Sequence, residues 1–139
     1  MSPAFKDILE LLSTADGRET LRDCRHGIEK ESLRTTPDGT LVHTPHPRAL
    51  GSALTHSSIT TDYSEALIEL ITPVYTRLDD LFDSLDMTHR FVYAQLGDEL
   101  LWTESMPCRL PADEDIPIAW YGTSNVGMLK NVYRRGLAV

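Results

Sequence analysis

Residues 26–34 read "HGIEKESLR", a stretch in which two glutamates, Glu29 and Glu31, lie within a pattern typical of a short β-strand. Side chains of a strand alternate between the two faces of a sheet, so Glu29 and Glu31 fall on one face and Ile28 and Lys30 on the other. A strand face exposed to water would carry such charges, and so would the floor of a site for a divalent cation. Spacing alone leaves both interpretations open.

A second strand is predicted in "EALIELITP", where Ala66 to Thr72 form an apolar run that ends at Pro73. Leu67, Glu69 and Ile71 share one face of this strand. Transferring an isolated carboxylate into an apolar environment costs several kcal/mol, so Glu69 is expected to be paired or to bind a metal ion. It is the single residue that says most about function.

Helical and turn patterns surround these strands and predict an α+β fold. In the first part they predict a helix over residues 3–12 with Ser2 as N-cap and Asp16-Gly17 as stop, a short helix over about 18–24, and a hairpin of residues 27–35 and 40–43 around Pro37-Asp38-Gly39. In the rest they predict a long helix after Pro73, with Thr76 and Asp79 as a capping box and Gly97 as stop, and a helix from about 126 to the end.

Composition and charge restrict the class of partner. The chain of 139 residues is one domain at most, and 13 Lys+Arg against 21 Asp+Glu give a net charge of −8. This charge repels phosphate backbones and anionic lipids, so neither nucleic acid nor a membrane is an expected partner. The start "MSPAFKDILELL" lacks the pattern of a signal peptide, which predicts a cytoplasmic protein. No glycine-rich phosphate loop is present, so metal ions would have to hold the phosphates of any bound nucleotide.

The cysteines and histidines are expected to be structural. Cys24 and Cys108 belong to no C-x-x-C pair. His43 and His46 have a spacing seen in metal sites, but they lie in a proline-rich loop without a nearby acidic residue. His89 falls on the inner stripe of the long helix, which is the position of an interior histidine.

A series of motifs in a fixed order then identifies a family. The motifs are "GIEKESLR", "DGTL", "HPRALGSALTH", "ITTDYSEALIELITPV", "GDELLW", "SMPC" and "YGTSNVG…YRRGL". Together they resemble the start of bacterial glutamate–cysteine ligase, over nearly the whole chain. The resemblance implies an ATP-dependent enzyme that joins L-glutamate, through its γ-carboxylate, to L-cysteine by way of a γ-glutamyl phosphate in the first step of glutathione biosynthesis. It also implies a glutamine-synthetase-like antiparallel sheet with packed helices.

The same resemblance assigns roles to particular residues. Glu29, Glu31, Asp62 and Glu69 match acidic positions that the family uses for Mg²⁺ or Mn²⁺, and carboxylate oxygens are the ligands that Mg²⁺ prefers. Tyr133 and Arg134 match a segment that faces the amino-acid substrates, although a surface helix with cations near its C-terminus would look the same by spacing.

Members of this family are several times longer than this chain. Residues 1–139 are therefore expected to be a truncated N-terminal part of the catalytic domain, which needs the missing C-terminal portion and is inactive alone. Two alternatives stay open: a non-catalytic acidic metal-binding or regulatory module, and a related carboxylate–amine ligase with another amine acceptor.

Overall fold

A four-stranded antiparallel sheet with strand order β2-β3-β1-β4 organises the fold. The computed structural model describes residues 3–136, apart from the side chains of Pro3, Arg134 and Arg135. Its helices and strands are α1 (Pro3–Ser13), α2 (Ala15–Arg22), β1 (Glu29–Thr35), β2 (Ile59–Thr60), β3 (Leu67–Ile71), α3 (Leu78–Tyr93), β4 (Leu100–Leu101) and α4 (Asn125–Gly136). Short 3-10 turns lie at Arg48–Leu50 and Asp113–Asp115. The predicted α+β class is confirmed.

The central pairing joins β1 to β3 and determines which residues share a face. Glu31 lies opposite Glu69, and Leu33 lies opposite Leu67. Paired residues of antiparallel strands project to the same side of the sheet. The alternating burial of β3, in which Ile68 and Leu70 are buried while Glu69 is half-buried, shows that the two faces have different environments.

One face of the sheet is covered by α3 and forms the core. Ile68 and Leu70 of β3 pack there with Val92 of α3, and both strand residues are almost completely buried. Burial of an aliphatic side chain of this size stabilises the fold by about 1.5–3 kcal/mol. The rest of this cluster is Leu50, Ile59, Leu96 and Leu101, with Leu85 packed against it. Because α3 covers this side, the glutamates of β1 and β3 project from the opposite side.

A buried ion pair ties the end of β1 to the segment before β4. Arg34 is fully buried, and its guanidinium donates hydrogen bonds to Glu99 Oε2 at 2.7 Å, to Thr44 Oγ1 at 2.8 Å and to the backbone carbonyl of Glu65 at 3.0 Å. Multiple charge-assisted bonds of this kind compensate the cost of burying the cation. Arg34 thereby holds three segments of the chain around β1.

The predicted turn after β1 is confirmed, whereas its return arm forms only an isolated bridge. Thr36 N–H donates to the Thr40 carbonyl at 2.9 Å, and Gly39 has the positive φ of 81° that favours glycine. Thr35 pairs with Leu41 in a single bridge. Val42 N–H still donates to the Arg34 carbonyl at 3.2 Å, while Leu41 N–H points away from β1 and donates to the carbonyl of Arg109 at 3.0 Å.

Two predicted helix boundaries are wrong. Gly17 does not end the first helical region but lies inside α2, where Thr14 Oγ1 accepts a hydrogen bond from Gly17 N–H at 3.0 Å. A Cβ at Gly17 would lie 2.2 Å from the Leu11 carbonyl oxygen, so this glycine permits close packing of α1 and α2. The capping box of Thr76 and Asp79 is also absent, because α3 begins at Leu78 and Asp79 forms an ion pair with Arg77.

The remaining outcomes concern the chain ends and the shortest strands. Ser2, the predicted N-cap, and the end of the last helix beyond Gly136 lie outside the described residues. The two-residue strands β2 and β4 were not predicted. Within residues 3–136, no helix has the length and apolar character needed to cross a membrane.

Candidate functional site

Three glutamates project from the sheet face opposite α3, and we call Glu29, Glu31 and Glu69 the acidic face. Glu31 and Glu69 are direct cross-strand partners, and Glu29 follows two positions before Glu31 on the same side of β1. The predicted placement of these three residues on one face is confirmed. Like charges directly opposite each other destabilise a sheet, so the arrangement costs stability unless a cation offsets it.

Glu69 is the most perturbed carboxylate of the acidic face. Burial raises the pKa of Glu69, and the neighbouring charges of Glu31 and then Glu29 raise it further. Lys130 acts in the opposite direction and lowers this pKa. Burial contributes more to this rise than the repulsion between the carboxylates. Among residues 3–136, the Glu69 carboxylate has neither a hydrogen bond nor an ion pair.

Asp62 lies in the loop between β2 and β3, and its backbone is fixed by a tyrosine. The buried Tyr121 donates its hydroxyl to the carbonyls of Thr61 at 3.0 Å and Asp62 at 2.8 Å. Asp62 is not among the groups that shift the pKa of Glu69. Within the described part of the chain, no three His, Cys, Asp or Glu residues lie in an arrangement that could hold a metal ion. The structure therefore aligns three of the predicted ligands without gathering all four.

Helix α4 carries a cation, Lys130, close to Tyr121. Asn131 fixes α4 to the turn, since its Oδ1 accepts from Tyr121 N–H at 3.1 Å and its Nδ2 donates to the Gly122 carbonyl at 3.1 Å. Lys130 Nζ then lies 4.6 Å from the centroid of the Tyr121 ring. Burial raises the pKa of Tyr121, and the charges of Glu69 and Glu65 add to that effect. Tyr121 and Lys130 were missed from the sequence.

Glu65 organises the loops around the start of β3. Its two carboxylate oxygens accept separate backbone hydrogen bonds, one from His46 N–H at 2.8 Å and one from Trp120 N–H at 2.7 Å. A carboxylate shared between two loops fixes their spacing. Glu65 thus ties the segment around His46 and the segment that leads to Tyr121 to the start of β3.

The histidines show no metal-site geometry. Both ring nitrogens of His46 are buried with no hydrogen-bond partner among the described residues, and burial lowers the pKa of His46. His89 is half-buried, as expected for an interior position, and its ring packs edge-on against Tyr93 at 5.1 Å. Burial and, secondarily, the charge of Lys30 lower the pKa of His89. Burial therefore favours the neutral form of both imidazoles.

The cysteines fit the structural role expected of them. Cys108 is buried in a second apolar cluster with Leu41 and Ala66, and burial raises its pKa. A thiol with a raised pKa is a poor nucleophile at neutral pH. Cys24 is half-buried and forms no disulfide.

The predicted substrate residues lie on α4. Tyr133 is 63% exposed, and Arg134 belongs to the same helix, with its side chain outside the described part of the structure. A depression of about 390 Å³ adjoins the acidic face and is lined by Glu31, Trp102 and Glu104. Trp102 Nε1 donates a hydrogen bond to the Met106 carbonyl at 2.6 Å, which holds the loop after Trp102.

The described sheet thus has one face covered by a helix and an opposite face that carries three carboxylates. Residues 9–139 match the glutamate-cysteine ligase family model. The chain belongs to the glutamate–cysteine ligase family, as the ordered motifs implied.

Relatives at high identity are considerably longer than this chain. It is 63% identical over 119 residues to the glutamate–cysteine ligase of Pseudomonas putida (strain W619), covering 86% of this chain and 23% of the relative. It is 60% identical over 129 residues to the glutamate–cysteine ligase of Alcanivorax borkumensis, and the match covers 93% of this chain and 25% of the relative. The chain thus spans about a quarter of the length of these relatives.

Two solved structures share the fold. One is the glutamate–cysteine ligase of Francisella tularensis in complex with AMP, with a TM-score of 0.77, 43% identity, and coverage of 82% of this chain and 23% of that one. The other is a bifunctional glutathione synthetase from Pasteurella multocida, with a TM-score of 0.71 and 34% identity. The match covers 94% of this chain and 16% of that one.

Proposed function

We propose that this chain forms the metal-binding wall of an ATP-dependent glutamate–cysteine ligase and is the N-terminal part of its catalytic domain. Membership of the family and coverage of about a quarter of its relatives support this assignment. The short outer strands β2 and β4 offer open edges, which further strands would pair with to extend a glutamine-synthetase-like sheet. A cytoplasmic location is the corresponding expectation.

The observation that carries the proposal is Glu69, a half-buried carboxylate opposite Glu31 with a raised pKa and no described hydrogen-bond or ion-pair partner. Mg²⁺ commonly binds proteins through one or two carboxylates and takes its other ligands from water and phosphate. The cross-strand pair therefore suits Mg²⁺ or Mn²⁺ without a preformed cage of three residues. Glu29 and Asp62 would complete the acidic surroundings.

A divalent cation bound there would neutralise charge on the ATP phosphates during phosphoryl transfer. In the proposed reaction the γ-carboxylate of L-glutamate attacks the γ-phosphorus of ATP, which gives γ-glutamyl phosphate and ADP. The amine of L-cysteine then attacks the acyl carbon, phosphate leaves, and the amine loses a proton.

The contribution of this chain is positioning. Phosphoryl transfer depends on an in-line arrangement of the reacting groups, so rigid placement of the carboxylates matters as much as their charge. Tyr121 holds the loop that contains Asp62, and the β1–β3 pairing sets Glu31 against Glu69. We place Tyr133 and Arg134 of α4 at the amino-acid substrates.

A chimera tests the proposal. This chain would replace the matching segment of the Pseudomonas putida (strain W619) ligase, and formation of ADP and γ-glutamylcysteine would be measured. We expect ligase activity in the chimera and none in the 139-residue chain alone, because one wall does not fix ATP and glutamate in line.

Two matched variants test whether Glu69 contributes to the activity. Glu69→Gln in the chimera should reduce kcat by roughly 100-fold or more, an effect typical of losing a preorganised electrostatic group. Asp113→Asn, an equal change in an exposed turn, should have no effect. Equal activity of the two variants would contradict the proposed role of Glu69. Product formation with other amines but not cysteine would instead show a related carboxylate–amine ligase, and robust turnover by the chain alone would show that it is not part of a larger site.

A further inference from the structure

A cavity of about 300 Å³ lies beside the start of β3, apart from the acidic face. Residues of the segment 45–54 line one part of it and residues 120–122 line another, and Glu65 also lines it. None of its described lining residues belongs to the acidic face. Ligand sites in proteins commonly have volumes of about 300–1,000 Å³, so this cavity suits a small metabolite better than a nucleotide.

Two side chains of opposite charge, Glu65 and Arg48, line this cavity without pairing with each other. Each carboxylate oxygen of Glu65 accepts one backbone hydrogen bond, from His46 N–H and from Trp120 N–H, and each oxygen can accept another. The Arg48 guanidinium carries only donors and forms no ion pair within residues 3–136. Both groups therefore keep unused hydrogen-bonding capacity beside one cavity.

The two charges are held in place by different means. Glu65 is half-buried and is fixed by its bonds to the two loops that form the cavity. Arg48 is exposed and begins the 3-10 turn Arg48–Leu50, in which Gly51 N–H donates to the Arg48 carbonyl at 3.1 Å. The anion is therefore the more enclosed of the two charges.

The rest of the described wall is largely apolar and adds no further charge. Ala53 is buried, Leu54 is half-buried, and Trp120 is 51% exposed. His46 also lines the cavity, but burial lowers its pKa and both of its ring nitrogens are buried, so its neutral form is favoured. A ligand in this cavity thus meets one anion, one cation and an apolar surface.

We propose that this cavity binds a zwitterionic α-amino acid with a short uncharged side chain. Its ammonium donates to Glu65, its carboxylate binds the Arg48 guanidinium, and its side chain packs against the apolar wall. Arginine suits a carboxylate because its planar group can donate two parallel hydrogen bonds. A zwitterion satisfies both charges at once, whereas a polyanion is repelled by Glu65. The site goes beyond the proposed ligase function, because it uses neither the acidic face nor a metal ion.

Isothermal titration calorimetry of the chimera, without ATP or a divalent cation, tests the charge requirement with three probes. L-alanine carries both charges, propionate lacks the ammonium, and ethylamine lacks the carboxylate. L-alanine should bind at least about tenfold more tightly than either analogue, because each analogue leaves one charged group of the cavity unpaired. If L-alanine binds no more tightly than the two analogues, the zwitterion assignment is wrong.

Single substitutions test which side chains hold the ligand. Arg48→Met should weaken L-alanine binding by about tenfold or more and leave ethylamine binding unchanged, and Arg48→Lys should recover part of the loss. Glu65→Gln should weaken the binding of L-alanine and ethylamine but not of propionate. Arg22→Met, which removes an exposed arginine of α2, should match the wild type. Unchanged L-alanine binding in Arg48→Met would place the ligand elsewhere and overturn the proposal.

The three probes also separate binding from structural damage. Glu65→Gln loses an acceptor for one of the two backbone N–H groups that Glu65 binds, which can loosen the loops. Loosening would weaken the binding of all three probes alike, whereas loss of the ammonium contact spares propionate. A uniform loss in both Glu65→Gln and Arg48→Met would therefore overturn the proposal.

L-cysteine and other small amino acids share the proposed chemistry, and kinetics distinguish them. In an active chimera, a rise in KM for L-cysteine that parallels the weaker L-alanine binding of Arg48→Met assigns the cavity to that substrate. An unchanged KM assigns it to a separate amino-acid ligand. A chimera without ligase activity would contradict the proposed function alone, because the titrations need no catalysis.

Discussion

The two faces of the β1–β3 pair are built from alternate residues of the same strands and have opposite energetic characters. On one face Ile68 and Leu70 are buried beneath α3, while on the other Glu31 and Glu69 oppose each other. Exclusion of water from the first face stabilises the folded state, whereas repulsion and partial desolvation on the second face destabilise it. Burial on one side therefore holds the charges of the other side in place, as expected of a site that exchanges stability for function.

The largest effect on this comparison should come from the buried face. Ile68→Ala removes a fully buried side chain from the core and should lower the free energy of unfolding by about 2–5 kcal/mol. Ile8→Ala, at a residue of α1 that is 52% exposed, should change it by no more than about 0.5 kcal/mol. Urea denaturation of the chimera measures both. Similar losses in the two variants would mean that β3 is not anchored by this cluster.

A smaller effect is expected from the hydroxyl that supports the acidic face. Tyr121→Phe removes the donor to Thr61 and Asp62 but retains the ring, and should cost about 1 kcal/mol of stability. It should also weaken Mn²⁺ binding by loosening the loop that contains Asp62. Tyr93→Phe, at an exposed residue of α3, is the matched control for loss of a phenol. Unchanged Mn²⁺ affinity in Tyr121→Phe would separate the Asp62 loop from the metal site.

Sequence patterns predicted the elements that define this contrast. The alternation in "IEKES" placed Glu29 and Glu31 on one face, and the register of β1 with β3, in which Glu31 lies opposite Glu69, adds Glu69 to that face. Family resemblance, rather than spacing, then assigned them to a metal. The two-residue strands β2 and β4 were not predictable, since alternation cannot be read over two residues.

Residues that act through tertiary contacts could also not be predicted from the sequence. Arg34 meets Glu99, 65 positions along the chain, and Tyr121 meets Asp62 across 59 positions, so no local pattern marks either pair. The metal role of Glu29, Glu31, Asp62 and Glu69 and the substrate role of Tyr133 and Arg134 stay predictions.

The smallest effect concerns pH. The pKa of Glu69 is raised in the folded state above its ordinary value of 4.5, so the folded protein holds more protons than the unfolded chain just above that value. Ionisation of Glu69 therefore destabilises the folded state increasingly as the pH rises above its ordinary pKa. The advantage in stability of Glu69→Gln over wild type should grow as the pH rises above 4.5, and Mg²⁺ should reduce it. A pH-independent difference in denaturation midpoint would contradict the raised pKa.

The central claim, that the acidic face binds a divalent cation, is tested most directly by Mn²⁺ titration of the chimera followed by electron paramagnetic resonance. The double variant Glu31→Gln/Glu69→Gln should bind Mn²⁺ more weakly by roughly tenfold or more, as expected when charged ligands are lost. The control Asp113→Asn/Asp115→Asn removes the same charge from an exposed turn and should bind like the wild type. Equal Mn²⁺ affinity in all three proteins would contradict the account.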